Sequence, residues 1–185
     1  MENSTSRLIL TLTVIGVISA LVLTFVFQWT TPLINKHKAV AQEKAIFSVL
    51  PGAVEIKKHD KNGNTFFTGY DKSGSKVGIA MVTEGGGFQG VIKLMIGTDL
   101  DQGKIYGIKI LEHQETPGLG ARITGEEYKS NFVDKPFGSY QVIKKSSSNP
   151  LDIEAIAGAT ISSKKVTNIV QNAVQEIEKA FGGGE

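Results

Sequence analysis

The run from Leu8 to Trp29, LILTLTVIGVISALVLTFVFQW, contains no charged residue. As a helix rising about 1.5 Å per residue it is roughly 33 Å long, the thickness of a bilayer's hydrocarbon core. The segment therefore reads as one transmembrane helix. A cleaved signal peptide is the competing reading, but the run is longer than the usual signal core and no A-x-A-like cleavage site follows it. Trp29 stands at its far end as an interfacial residue, and the first cation beyond it is Lys36. Arg7 before the run, set against Lys36, Lys38 and Lys44 after it, taken literally places the C-terminal side in the cytoplasm. That rule weakens for a large following domain, so charge bias leaves the orientation open.

A chain of 185 residues has room for such an anchor and one globular core. The division expected is an anchor over 1–31, a connecting helix over 32–52 and a single domain over 53–185. Net charge is only +2, with 20 basic residues scattered among 18 acidic ones and no basic stripe, which argues against nucleic acid as a partner. There is no cysteine, which excludes disulfides, iron–sulfur ligation and thiolate zinc sites. His37, His59 and His113 lack metal-site spacing. Redox chemistry in this chain requires an organic cofactor.

Leu33 to Val49 reads as a second helix, ended by Pro51-Gly52 and lifting the domain off the membrane. Runs favouring strands follow at Thr65–Tyr70, Lys76–Thr83, Gly90–Thr98 and Lys104–Glu112, the last two joined by a polar hairpin over Asp99–Gly103. Gly125–Val133 looks like a short helix. Ser162–Phe181 is a clearer one, because Val166, Ile169, Val170, Ala173, Val174, Ile177 and Phe181 recur at the helical period. Gly182–Gly184 ends it. Ser146–Pro150 reads as a loop. The fold class expected is α+β, an antiparallel sheet packed with helices behind a single N-terminal transmembrane helix.

Chemistry concentrates where the last helix begins, in Ala155-Ile156-Ala157-Gly158-Ala159-Thr160-Ile161-Ser162-Ser163. Small residues admit a ligand close to the backbone, and the free N–H groups of a first helical turn attract a phosphate. Capping of the helix by Thr160 or Ser162 is the commoner use of such residues, and spacing alone favours it. A second stretch, Glu115-Thr116-Pro117-Gly118-Leu119-Gly120, suits a type II turn with Gly118 at positive φ, and Gly120 would leave room for a flat ring. An ordinary surface turn explains it equally well in isolation. Glu84-Gly85-Gly86-Gly87-Phe88-Gln89-Gly90 lacks the GxGxxG order and precedes a strand, which argues against a nucleotide loop.

Taken together with the anchor, these stretches resemble the RnfG proteins of Rnf electron-transport complexes. Those belong to the FMN-binding-domain family that includes the NqrC component of the sodium-pumping quinone reductase. The resemblance covers essentially the whole chain. Ala157-Gly158-Ala159-Thr160-Ile161-Ser162 matches the family's flavin-attachment pattern, and His113–Gly120, HQETPGLG, looks like the RnfG-type signature. Ala157 and Glu154 depart from the usual residues. The resemblance implies FMN joined by a phosphoester to Thr160 and delivered from FAD by a flavin transferase with Mg²⁺. Gly158, Ala159, Ser162 and Ser163 would line the phosphate, while Glu115, Thr116, Gly118, Leu119 and Gly120 would approach the ring. It also implies an extracytoplasmic domain on a cell inner or plasma membrane and other Rnf subunits as partners, one of them a second flavinylated membrane protein. The chain would be an electron carrier, not catalytic alone, in a complex coupling ferredoxin:NAD⁺ electron transfer to ion movement. A flavinylated component of another, NqrC-like system and a non-redox anchored binding domain are the alternatives.

Overall fold

The structure is a computed structural model describing residues 2–61, 63–145 and 147–182. Two compact units are distinguished, Met1–Ala41 and Gln42–Glu185. The first consists of most of α1 (Glu2–Val49), a helix long and apolar enough to cross a membrane. Leu8 through Trp29 are exposed along it, which water would not tolerate but lipid does. Its polar groups are satisfied internally: the hydroxyls of Thr11, Thr13 and Thr24 donate to carbonyls four residues back. The expected break near Pro32 is absent. Pro32 withholds the one N–H that would reach the Gln28 carbonyl, and the helix runs on through it. Pro51 and Gly52, the latter at φ 87°, follow its end.

In the second unit the backbone folds as an antiparallel meander. β1 (Glu55–Lys61), β2 (Asn64–Tyr70), β3 (Lys76–Gly86), β4 (Val91–Asp99), β5 (Lys104–Glu112) and β6 (Lys135–Pro136) lie side by side in chain order. Four of these match the expected strands. β1, EIKKHDK, does not read as a strand because Ile56 is its one apolar residue; pairing with β2 from Glu55↔Tyr70 to Lys61↔Asn64 makes it one. Its charges suit an edge, where lysine discourages further pairing. The hairpin at Asp99–Gly103 forms as expected, with Gln102 N donating to Asp99 Oδ1 and Gly103 at φ 61°. Three short strands escaped the sequence reading: β6, which pairs with the start of β5, and β7 (Gln141–Ile143) and β8 (Asp152–Glu154), which pair in parallel.

Alternation along the strands sends two sets of side chains to opposite faces. One set, including Phe66, Ile79, Met81, Ile92, Leu94, Ile96 and Ile108, is covered by α3 (Thr160–Phe181) through Val166, Ile169, Val170, Ala173, Val174 and Ile177. Gly85 permits this approach, since a Cβ there would lie 2.7 Å from Ile169. On the other face the last turns of α1 pack Ala45, Ile46, Val49 and Leu50 on Phe67, Ala80 and Met95. The expected helix at Gly125–Val133 is α2 (Glu126–Lys129) continued by a 3-10 turn, Ser130–Phe132. Its Tyr128 hydroxyl donates to the Ser163 carbonyl, 3.0 Å, and fastens this region to the start of α3. Of the expected terminator only Gly182 is described, Gly183 and Gly184 lying outside the described residues, as does Ser146 of the expected Ser146–Pro150 loop.

Candidate functional site

The start of α3 is open rather than capped. Ala159 occupies the N-cap position with φ −134° and ψ 39°, and no side chain caps the helix. Neither Thr160 nor Ser162 takes the capping role that spacing favoured. The N–H groups of Thr160, Ile161 and Ser162 have no carbonyl four residues back within the helix, whereas Ser163 N reaches Ala159 O at 3.0 Å. Gly158 precedes them at φ 79°, a conformation that disfavours any side chain. Thr160 is half-buried, and its hydroxyl makes no hydrogen bond to the described residues. The helix therefore presents a free hydroxyl beside free donors at its positive end.

The two serines behave differently. Ser163 is fully buried; its hydroxyl donates to Ala159 O and accepts from Ile156 N, both at 3.0 Å, so it is consumed in shaping the Ala155–Ala159 bend. Ser162 Oγ donates to Glu115 Oε2 at 2.5 Å. These hydroxyls, expected to line the phosphate, point into the fold.

The Thr116–Gly120 turn forms as expected. Leu119 N donates to Thr116 O at 3.2 Å around Pro117 and Gly118, and Gly118 has φ 76°. Gly120, expected to leave room for a ring, has a different task. A Cβ there would lie 2.5 Å from Glu115 Oε2 and 2.8 Å from Ser162 Oγ, so the missing side chain makes room for a hydrogen bond within the protein, not directly for a ring. Glu115 likewise turns inward. Its Oε1 accepts from Phe88 N and Gln89 N at 2.7 and 3.1 Å, and its own N–H donates to His113 Nδ1. Burial pushes the Glu115 carboxyl upward, but the bonds from Ser162, Gln89 and Phe88, with His113 nearby, outweigh it and hold the group below its ordinary range.

Chain segments far apart in sequence thus converge. A recess of about 300 Å³ is lined by Phe88, Glu115, Thr116, Leu119, Gly120 and Gly158 through Ser162. Its rim is apolar, since Phe88, Leu119 and Ile161 are 60, 51 and 52 % exposed. A larger cleft of about 810 Å³ shares Gly158 and Thr160 and carries Arg122, Tyr128, Asn131, Lys144 and Glu154. Of the residues expected to hold the phosphate or approach the ring, all border one recess or the other except Ser163, which is buried behind the first turn. Sequence reading gives no role to Phe88, Arg122 or Lys144, and places Ile161 in the attachment pattern without setting it at the rim. Phe88 had a signal, its place in a glycine-rich run, but that run was judged only as a nucleotide loop.

Donors at a helix start suit a phosphate, an unengaged hydroxyl beside them suits esterification, and a shallow apolar-rimmed recess suits a flat aromatic ring. The site thus fits FMN. Similar proteins point the same way. Residues 87–175 match the FMN-binding domain. The G subunit of the ion-translocating oxidoreductase complex of Methanosarcina acetivorans is 32 % identical, with 96 % of each chain covered. The G subunit of the proton-translocating ferredoxin:NAD(+) oxidoreductase complex of Clostridium ljungdahlii is 30 % identical over 98 % of this chain and 96 % of that one. Among solved structures, the C subunit of the Na(+)-translocating NADH-quinone reductase from Parabacteroides distasonis superposes with a TM-score of 0.56 at 29 % identity, covering 66 % of this chain and 64 % of that one. NqrC of Shewanella oneidensis, at 20 % identity and a TM-score of 0.54 over 66 % of each chain, shows the same fold. With near-complete coverage by two relatives and a match to the FMN-binding domain over residues 87–175, the chain belongs to the family of G subunits of ion-translocating oxidoreductase complexes.

Proposed function

We propose that this chain is an electron-transfer protein that holds FMN covalently on Thr160, within a membrane complex that moves electrons between ferredoxin and NAD⁺ and couples them to ion translocation. The observation carrying the attachment is the unengaged Thr160 hydroxyl at the uncapped start of α3. In the attachment step the Thr160 Oγ–phosphorus bond forms and the pyrophosphate bond of FAD breaks. AMP leaves and the hydroxyl proton is lost, with no change of oxidation state. A flavin transferase supplies the catalysis. The N–H groups of Thr160, Ile161 and Ser162 would hold the phosphate, a contact of about 0.3–1 kcal/mol when exposed and up to about 2 when partly buried. That is enough to orient the phosphate and too little to replace the covalent bond. Gly158 would admit the phosphate close to the backbone, and Phe88, Leu119 and Ile161 would flank the ring. Bound there, the isoalloxazine supplies the redox chemistry.

Residues 1–31 would anchor the chain, 32–52 connect it, and 53–185 form the flavin domain on the extracytoplasmic side, beside a second flavinylated membrane protein. Protease added to intact spheroplasts should digest the domain; protection there, with digestion in inverted vesicles, reverses the orientation. The attachment is tested by peptide mapping of protein made with and without a flavin transferase. An FMN mass adduct on Thr160, present only with the transferase, is the expected result, and an adduct on another residue refutes the assignment.

A further inference from the structure

A carboxylate withdrawn from water is costly unless donors surround it. Glu115 is 4 % exposed, and no lysine or arginine pairs with it among the described residues. Its oxygens are instead occupied by Phe88 N, Gln89 N and Ser162 Oγ. Two glycines clear its path: a Cβ on Gly87 would collide with Oε1, and one on Gly120 would crowd Oε2. One side chain thereby ties together the β3–β4 loop, the Thr116–Gly120 turn and the first turn of α3. Those are the walls of the smaller recess.

We propose that Glu115 is the positioning residue of the flavin site, holding Phe88 and the first turn of α3 in place so that the recess beside Thr160 exists before the flavin is attached. The inference rests on the attachment reading above. Without the carboxylate the Phe88 and Gln89 N–H groups and the Ser162 hydroxyl turn to other partners. The loop keeps its own closure, Gly87 N to Gly90 O, but loses its hydrogen-bonded tie to α3. Phe88, whose ring is largely exposed, has little else to fix it.

The test uses the full chain coexpressed with a flavin transferase, as wild type, Glu115→Ala, Glu115→Gln and Ser162→Ala. Hydrogen exchange is followed in peptides covering 84–90 and 160–163, and visible circular dichroism reports the order of the attached ring. Glu115→Ala should speed exchange in 84–90 by roughly tenfold, the worth of about one hydrogen bond, and should diminish the flavin dichroism while β2–β5 stay protected. Glu115→Gln should restore most of both, because the amide oxygen accepts from Phe88 N and Gln89 N while its NH₂ donates to Ser162 Oγ. Ser162→Ala should shift both in the direction of Glu115→Ala, but less. Wild-type exchange and dichroism in Glu115→Ala overturn the proposal, as do equal losses in Glu115→Gln. If Glu115→Ala does not fold, Ser162→Ala decides, and unchanged signals there overturn it. Failure to find the adduct on Thr160 in the wild type defeats the attachment reading instead, while the exchange measurements still judge the clamp.

Discussion

The first turn of α3 and the turn at Thr116–Gly120 border the same recess, yet they are built in opposite ways. The helix start leaves groups open: a hydroxyl on Thr160 and three N–H groups without intrahelical acceptors. The other turn is closed by Leu119 N and Ala121 N on Thr116 O, and by a carboxylate accepting three hydrogen bonds. On the proposed attachment at Thr160, the difference gives them separate tasks. A group meant to react must not be engaged within the protein, and its mount must be.

The comparison breaks most visibly at Thr160. Thr160→Ala should abolish the covalent flavin while changing stability by less than about 0.5 kcal/mol, since the hydroxyl makes no bond to lose. Intact mass and a urea melt check the two halves, and Thr160→Ser should keep part of the adduct. Gly120→Val strikes the closed side. Its branches would enter the Glu115–Ser162 contact, and overpacking of this kind costs about 1–3 kcal/mol. A variant with the wild-type melting curve, flavin spectrum and potential would remove this turn from the site.

Smaller effects sharpen the contrast. Ser163→Ala leaves the buried Ile156 N–H without its acceptor and should cost about 1–3 kcal/mol, with attachment at Thr160 retained. Gly118→Ala should cost about 1 kcal/mol through its positive φ alone, because open space surrounds the position of the new methyl. Urea titrations of both variants rank them. The smallest effect is on pH. Because the folded state holds Glu115 below its ordinary value of 4.5, the stability it contributes is present above that pH and fades as pH falls through the depressed value. Between pH 7 and 4, wild type should lose slightly more stability than Glu115→Gln. An equal loss would show that the carboxylate contributes nothing to acid sensitivity.

Legibility followed the range of each interaction. β2 through β5 could be read because each carries a short apolar run bounded by polar or turn residues, and α3 because its apolar residues repeat at the helical period. β1 could not, since its strand character comes from a partner and its own residues are almost all charged. Thr160 is singled out only through the resemblance that AGATIS carries, since spacing alone favours a cap. The inward turn of Ser162 and Ser163 was not legible, because it is set by partners outside the helix, Glu115 for Ser162 and the Ala155–Ala159 bend for Ser163.

By itself the sequence determined the uncharged span, the apolar runs of the strands, the positive φ at Gly118 and the helical period of the last helix, whose start the structure places at Thr160 rather than Ser162. Each depends on residues adjacent in the chain, where periodicity and backbone sterics act directly. Tertiary structure alone decided that Glu115 would meet Phe88 across 27 residues and Ser162 across 47. It likewise decided that Gly120 serves that meeting and that Thr160 stays unengaged. Such contacts are set by the register of the sheet and the seating of α3 upon it. A buried carboxylate takes whichever donors that packing brings within about 3 Å, and no local pattern specifies which they will be.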